Sequence, residues 1–277
     1  MLQLNERIKT FYDDSSQLWI ERWGEHMHHG YYGSDGKIKK DRLQAQEDMI
    51  RELLAWANVI KVEKVLDLGC GVGGSSRFIA RTFGAEAKGV TLSPVQANIA
   101  QSYNHQQKLE EKVKISVQDM MSLKEIAQYD LVWSMESAEH IADKAALMQL
   151  CFDALVNDGT LIMATWCVRE AEEGFSDKEK KILSQISKYY HLPPMVSIDK
   201  LHLLALNAGF KNVKTADWSP AVAPFWGAVI KSALTIKSLK GLLRSGLGTM
   251  KGAWAMQYMQ QGYRMGLIKF GVLQAHK

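Results

Sequence analysis

Proline is scarce, at five in 277 residues, and there is no low-complexity tract or internal repeat, which excludes a linker-rich or disordered chain. Cysteine is scarcer still. Cys70, Cys151 and Cys167 show no paired spacing and no CxxC, so neither a disulfide scaffold nor a thiolate zinc site is expected. That usage fits a reducing compartment, and the expected location is cytoplasmic. The opening MLQLNERIKTFYDD lacks the apolar centre of a signal peptide. No apolar run reaches the roughly 18 residues of a transmembrane helix. The eight histidines form no HExxH or comparable ligand set, so no metal is called for. Acidic residues stop at Asp217, and eight basic residues follow: Lys231, Lys237, Lys240, Arg244, Lys251, Arg264, Lys269 and Lys277. The end of the chain therefore suits an anionic surface, unless these are ordinary solvated side chains.

What is present is an alternation of strands and helices. Apolar positions Leu43, Met49, Ile50, Leu53 and Leu54 recur at helical spacing within residues 39–56. VEKVLDL reads as a buried strand, SSRFIARTF as a helix and AEAKGVTLS as a second strand. A helix starts at Pro94, whose fixed φ suits a first turn. KVKISVQD, YDLVWS and TLIMATW supply three more strands; KAALMQLCFDAL is a helix, and NDG a turn before TLIMATW. VSIDKLHLLALNAGF is a helix stopped by Gly209, followed by strands NVKTADWS and IKFGVLQAH. This order predicts one α/β domain over residues 1–277, mainly parallel, with helices on both faces. Residues 1–38, 171–195 and 220–265 have no place in the sheet. They are expected above the carboxyl ends of the strands, the first as a lid and the others as helical caps.

The segment VLDLGCGVGGSSRFIA, residues 65–80, carries the chemistry. Gly69, Gly71 and Gly74 satisfy GxGxxG after a strand, but the second strand ends in Thr91, Leu92 and Ser93, with no acid for a dinucleotide ribose. Instead Asp67 stands two residues before the first glycine. A carboxylate there suits a cationic ligand rather than a pyrophosphate, and S-adenosylmethionine (AdoMet) carries an ammonium and a sulfonium. Gly69 and Gly71 would let the backbone approach its methionine and ribose, since a Cβ would occupy ligand space.

VLDLGCGVGG, GVTLSPVQ, VQDM and YDLVWSMESAEH together resemble the class I AdoMet-dependent methyltransferases. More narrowly the chain is similar to the tocopherol and sterol C-methyltransferase group, and FYDDSSQLWIERWGEHMHHGYY resembles the opening of the tocopherol enzymes. The resemblance covers most of the chain. It implies a Rossmann-like seven-stranded methyltransferase sheet with helical cap insertions. It also implies that Asp67, Gly69 and Gly71 line the methionine and ribose side of AdoMet. Thr91, Leu92 and Gln96 would meet ribose and adenine; Asp119, followed by Met120, would accept from the adenine amino group; Ser134 and Met135 would border the point of methyl delivery.

Methyl transfer from a sulfonium needs an aligned acceptor and exclusion of water. A phenolic acceptor also needs a group to take its proton. Glu136, Glu139 and His140 follow the fourth strand and would share one side of a helical turn, facing the acceptor or capping the turn. His26, His28 and His29 lie beside Trp23, Tyr31 and Tyr32, with Gly30 permitting a bend. They are read as a lid that includes a candidate base, His28, against the alternative of a surface arm. Trp166 and Cys167 share the rim, and Tyr189, Tyr190, His191, Pro193, Met195 and Val196 are candidate walls for the acceptor. Residues 220–250 interleave apolar and basic side chains, as a peripheral membrane contact or a cap helix with snorkelling lysines would. The expected activity is ring C-methylation of a tocopherol-type or other prenylated aromatic. N- or O-methylation of an indole- or alkaloid-like metabolite is the second reading, and a non-catalytic AdoMet-binding membrane-associated module the third. Nucleic acid is not expected as a partner, because the basic residues lie among aliphatics rather than exposed aromatics.

Overall fold

The computed structural model describes residues 4–10, 12–13, 24–225, 227 and 255–277. Seven strands form one sheet: β1 (Lys64–Leu68), β2 (Glu86–Thr91), β3 (Val113–Val117), β4 (Tyr129–Met135), β5 (Leu155–Val168), β6 (Lys211–Asp217) and β7 (Ile268–His276). Their spatial order is β3-β2-β1-β4-β5-β7-β6. The first five run parallel, and β7 inserts antiparallel between β5 and β6. The order reverses direction between β1 and β4, and ligands of open α/β sheets bind at such a switch point.

Sequence explains the placement of each strand. β1 is almost continuously buried, as a central parallel strand covered on both faces should be. Truncating the fully buried Leu66 to alanine would cost about 2–5 kcal/mol. β6 is exposed along most of its length and forms one edge. The turn read at NDG is instead part of β5. Tyr129 pairs with Leu155 but Leu131 with Thr160, so surplus residues bulge out of the ladder, with Asp158 at φ 63°.

The helices that matter here are α1 (Arg42–Trp56), α2 (Gly74–Phe83) and α3 (Pro94–Gln106). Asp41 caps α1 by accepting from the Leu43 and Gln44 amides, and Met49, Ile50, Leu53 and Leu54 are buried. Leu43, expected in that apolar face, is 48% exposed because it sits in the first turn, beyond the core. Pro94 opens α3, as read, and Ser93 caps it by accepting from the Gln96 amide. Within residues 171–195 lies α4 (Asp177–Tyr190), opened by a capping box of Ser176 and Glu179, with Ile182, Ile186 and Tyr190 buried. Residues 228–254, which carry most of the basic insertion, lie outside the described residues. The flanking 255–264 are helical, and Ala255 and Met259 join the main core.

Candidate active site

A cleft opens over the carboxyl ends of β1, β2 and β4, enclosing about 980 Å³ counting its open mouth. Asp67, Gly69, Gly71, Thr91, Leu92, Gln96, Asp119, Met120, Glu136, His140 and His28 all line it. They reach it from strand ends on one side and from the N-terminal segment on the other.

The first side is built mostly by short-range structure, with Ser137 and Asn5 joining it from distant parts of the chain. Asp67, 1% exposed, accepts from Ser76 Oγ in the first turn of α2 at 2.6 Å. Burial pushes its carboxyl up to about 7, against the hydrogen bonds from Ser76 and the charge of Arg77. Gly69 and Gly71 take φ 76° and 55°. Among the described residues beyond its chain neighbours, a Cβ on Gly71 would come no nearer than 3.9 Å to another atom, at Met27 Sδ, so there the cleft itself is the space a side chain would fill. Gly69 differs from expectation. Its Cβ would meet Ser137 Cβ at 2.3 Å, so its constraint is protein packing rather than ligand space. Thr91 Oγ1 donates to Gln96 Oε1 at 2.7 Å, fixing the end of β2 to α3. Asp119 closes the turn Met120–Ser122 by accepting from the Met121 amide, and its other oxygen accepts from Asn5 Nδ2 at 2.7 Å.

The second side joins distant segments. Gln46 of α1 donates to the carbonyls of His26 and His28 at 2.7 and 2.8 Å, and Tyr31 N donates to Ala45 O at 2.7 Å. Gly30 serves that contact, because its Cβ would lie 2.6 Å from Ala45 Cβ; close approach, not the expected bend, demands glycine. His29 donates its amide to Glu136 Oε1 at 2.5 Å, and its Nδ1 meets Oε2 at 2.7 Å. Trp166 Nε1 also donates to Oε2, at 3.1 Å. Burial opposes the Glu136 charge, but His29 and His28 together hold its carboxyl below the usual range. With both oxygens engaged, Glu136 is poorly placed to take a further proton.

His28 is differently arranged. Its Nδ1 lies 2.8 Å from the His29 carbonyl, which can only accept, so Nδ1 carries the hydrogen and Nε2 keeps a lone pair. Nε2 is buried without a hydrogen-bond partner among the described residues. Burial, partly offset by Glu136, lowers the His28 pKa, leaving a neutral ring. His140 lies 3.1 Å from the Tyr12 hydroxyl through Nε2; burial, then Lys144 and His191, push it down to about 4.

Several expected residues lie elsewhere. Ser134 does not line the cleft. It is 1% exposed and pairs with Ser137 Oγ at 2.9 Å beneath the floor, because alternation along β4 turns Met135 to the cleft instead. Glu139 does not share a face with Glu136 and His140. It accepts from Thr165 Oγ1 at 2.8 Å, and burial, then the Glu136 charge, raise it to about 8. Tyr189, Tyr190, His191, Pro193, Met195 and Val196 are absent from the cleft wall, and Tyr190 packs edge-on to Trp166. His29, Tyr31 and Tyr32 stand behind the wall, and Trp23 lies outside the described residues.

Residues not expected at the site include Asn5, Ile8, Glu25, Met27 and Ser137. Ser137 donates to Leu68 O at 2.5 Å and thereby ties β4 to β1. Glu25 had a sequence signal, as a lone acid inside WGEHMHHG. Ser137 had none, since its partner Gly69 is 68 positions away.

Residues 3–220 match the family model described as mycolic acid cyclopropane synthetase. The chain belongs to that family. It is a class I AdoMet-dependent methyltransferase, and AdoMet is the cofactor of its family. The methyltransferase is 43% identical to a chloroplastic tocopherol O-methyltransferase of Arabidopsis thaliana, over 99% of this chain and 82% of that protein. It is 30% identical to norajmaline N-methyltransferase of Rauvolfia serpentina, over 100% of this chain and 99% of that one. A cyclopropane synthase structure from Mycobacterium tuberculosis superposes with TM-score 0.86 at 16% identity, covering 99% and 98% of the two chains, which shows the shared seven-stranded fold.

Proposed function

We propose that this methyltransferase places the methyl group of AdoMet on a ring carbon of a tocopherol-type or other prenylated aromatic. The observation that carries the reading is the 43% identity, across nearly the whole chain, to a protein named for tocopherol. The cleft is consistent with it, since a polar seat on one side faces an imidazole and apolar side chains such as Ile8, Met135 and Ile141 on the other.

The residues fit AdoMet. Asp67 offers a buried carboxylate to a cationic group, the Gly71 backbone leaves room beside it, and the Asp119 carboxylate suits an exocyclic amine. In this assignment Asp67, Gly69 and Gly71 hold the methionine and ribose end. Thr91, Leu92 and Gln96 would meet the ribose and adenine, with Met120 beside Asp119 at the adenine end. Bound AdoMet supplies a methyl group already activated by the sulfonium. The chain must hold the acceptor in line and keep water out, which residues 24–32, pinned to α1, support. His28 takes the proton of the ring hydroxyl at Nε2, raising electron density on the ring. The ring carbon bonds the methyl as the methyl–sulfur bond breaks, and its own hydrogen then leaves as a proton to restore the aromatic ring. Glu136 positions His28 through His29, and His140, tied to Tyr12, borders the acceptor. Ser134 supports the floor rather than touching ligand.

A deprotonated phenol is ambident, with charge on oxygen and on ring carbon. The Arabidopsis relative is named for oxygen; carbon is the acceptor implied by the word cyclopropane in the family's description. The experiment is incubation with 13C-methyl AdoMet and, in turn, phytylated quinols, tocopherols, indoles and amines, with mass spectrometry and NMR of products. The reading expects a methyl signal on an aromatic carbon of a prenylated ring. A methoxy or N-methyl product, or none, would refute it.

A prenyl tail partitions into bilayers, so peripheral contact through the basic C-terminal stretch accompanies this reading. Among the described residues no helix is long and apolar enough to cross a membrane. We place the chain at a membrane surface in a reducing compartment; the Arabidopsis relative's name assigns that protein to chloroplasts, so cytoplasmic placement rests on cysteine usage alone. Flotation with anionic vesicles at low and high salt tests the contact, and failure to float at either would remove it.

A further inference from the structure

We propose that His26 receives the α-carboxylate of the cofactor's methionine, beside the uncapped amino end of α2. The inference rests on the AdoMet reading above and assigns a part of the cofactor that no other residue yet holds.

His26 is 3% exposed and lines the cleft. Among the described residues neither of its ring nitrogens has a hydrogen-bond partner. A buried imidazole with two unmet nitrogens is costly unless a ligand atom completes it. Its place is fixed from three directions. Gln46 Nε2 holds its carbonyl at 2.7 Å. Its ring packs edge-on to His28 at 5.3 Å. A Cβ on Gly74 would fall 2.6 Å from His26 Nδ1, so the ring lies against the first residue of α2.

That helix end invites an anion. The helix spans ten residues, its N-cap is Gly73, and no side chain caps it. Its first amides therefore carry partial positive charge with no acidic side chain in the first turn to answer it. Arg77, one turn further, is buried and paired to Glu25 through Nε and Nη2 at 2.8 and 2.7 Å. Glu25 is thus spoken for, although it also lines the cleft. Burial first, then His28, Arg77 and Arg81, hold His26 well below the ordinary imidazole range. Surroundings that repel a proton there favour a carboxylate, to which the neutral ring can donate one N–H. Asp67, at the other end of the glycine turn that leads into α2, is left for the ammonium, so the two charged ends of one amino acid meet opposite partners.

The test compares two ligands by calorimetry on the full chain. S-adenosylhomocysteine (AdoHcy) carries the amino acid; 5′-methylthioadenosine keeps adenosine and sulfur but lacks it. His26→Ala is expected to raise the AdoHcy Kd about tenfold or more while moving the methylthioadenosine Kd less than about twofold. His26→Asn, which retains a donor, should restore part of the loss. Unchanged methylthioadenosine binding also reports that the variant is folded. Equal weakening of both ligands in both variants, or no weakening of AdoHcy, would overturn the assignment. Wild-type protein that binds neither ligand would instead overturn the cofactor reading, and this inference with it.

Discussion

The two walls of the cleft are built in different ways. On the cofactor wall, Asp67 is tied to Ser76 nine residues away and Thr91 to Gln96 five away. On the acceptor wall, His29 meets Glu136 across 107 positions and Tyr12 meets His140 across 128. The part of the seat made by one strand, one glycine turn and one helix start is set by local sequence, although Asn5 also reaches Asp119 across 114 positions. A wall made by docking an N-terminal segment against strand ends can be remodelled by changing that segment. The chain's similarity extends both to a relative named for tocopherol and to one named for norajmaline.

Substitutions on the two walls should therefore separate turnover from cofactor affinity. The largest effect is expected for His28→Ala: turnover at saturating cofactor should fall about 100-fold or more, while the AdoHcy Kd stays within about twofold. A variant that kept normal turnover would break the distinction. Asp67→Asn should do the reverse, weakening AdoHcy about tenfold in calorimetry, since a neutral amide replaces the partner of an ammonium. Glu136→Gln keeps the shape of its cluster but removes the charge facing His29. A fall of about tenfold in turnover is expected, with little change in AdoHcy affinity; equal loss of both would mark Glu136 as structural support alone. Ser134→Ala is expected to be the smallest. Thermal unfolding should show about 1 kcal/mol of lost stability, with AdoHcy affinity within about twofold, because its hydroxyl bonds below the floor.

The same contrast governs what could be read from residues alone. The succession of strands along the chain and the place of Asp67 were legible because a buried parallel strand, a glycine turn and a helix start leave local signatures; the antiparallel insertion of β7 between β5 and β6 was not. The identity of β7 was visible in IKFGVLQAH, which the structure builds as Ile268–His276. NDG misled because a bulge and a turn use the same residue types, and Asp158 adopts the left-handed conformation that either one needs. Ser134 and Met135 were expected together at the strand end, but neighbours in a strand point to opposite faces, so only Met135 reaches the cleft. Glu139 was grouped with His140 by helical spacing. The short turn Ala138–His140 follows a left-handed Glu136, and that break sends Glu139 toward Thr165. Tyr189 and its neighbours were assigned by aromatic content, which cannot distinguish an acceptor wall from a helix end packed on Trp166. None of the pairings that pin His26, His28 and His29 has a sequence signature, because each is a long-range contact.

The central claim is that a buried carboxylate at the end of β1 seats a cation. In the free protein, burial holds the Asp67 carboxyl up at about 7, so near neutral pH it is partly protonated. An ammonium beside it favours the ionised form and lowers that value, so binding must expel a proton and affinity must rise with pH through about 7. Calorimetry of AdoHcy binding between pH 6 and 8 (rough bounds around that value), in two buffers of different ionisation enthalpy, counts the proton directly. The account predicts release of a fraction of one proton that is lost in Asp67→Asn. Tight binding with no proton released across that range, or the same release in the variant, would contradict it.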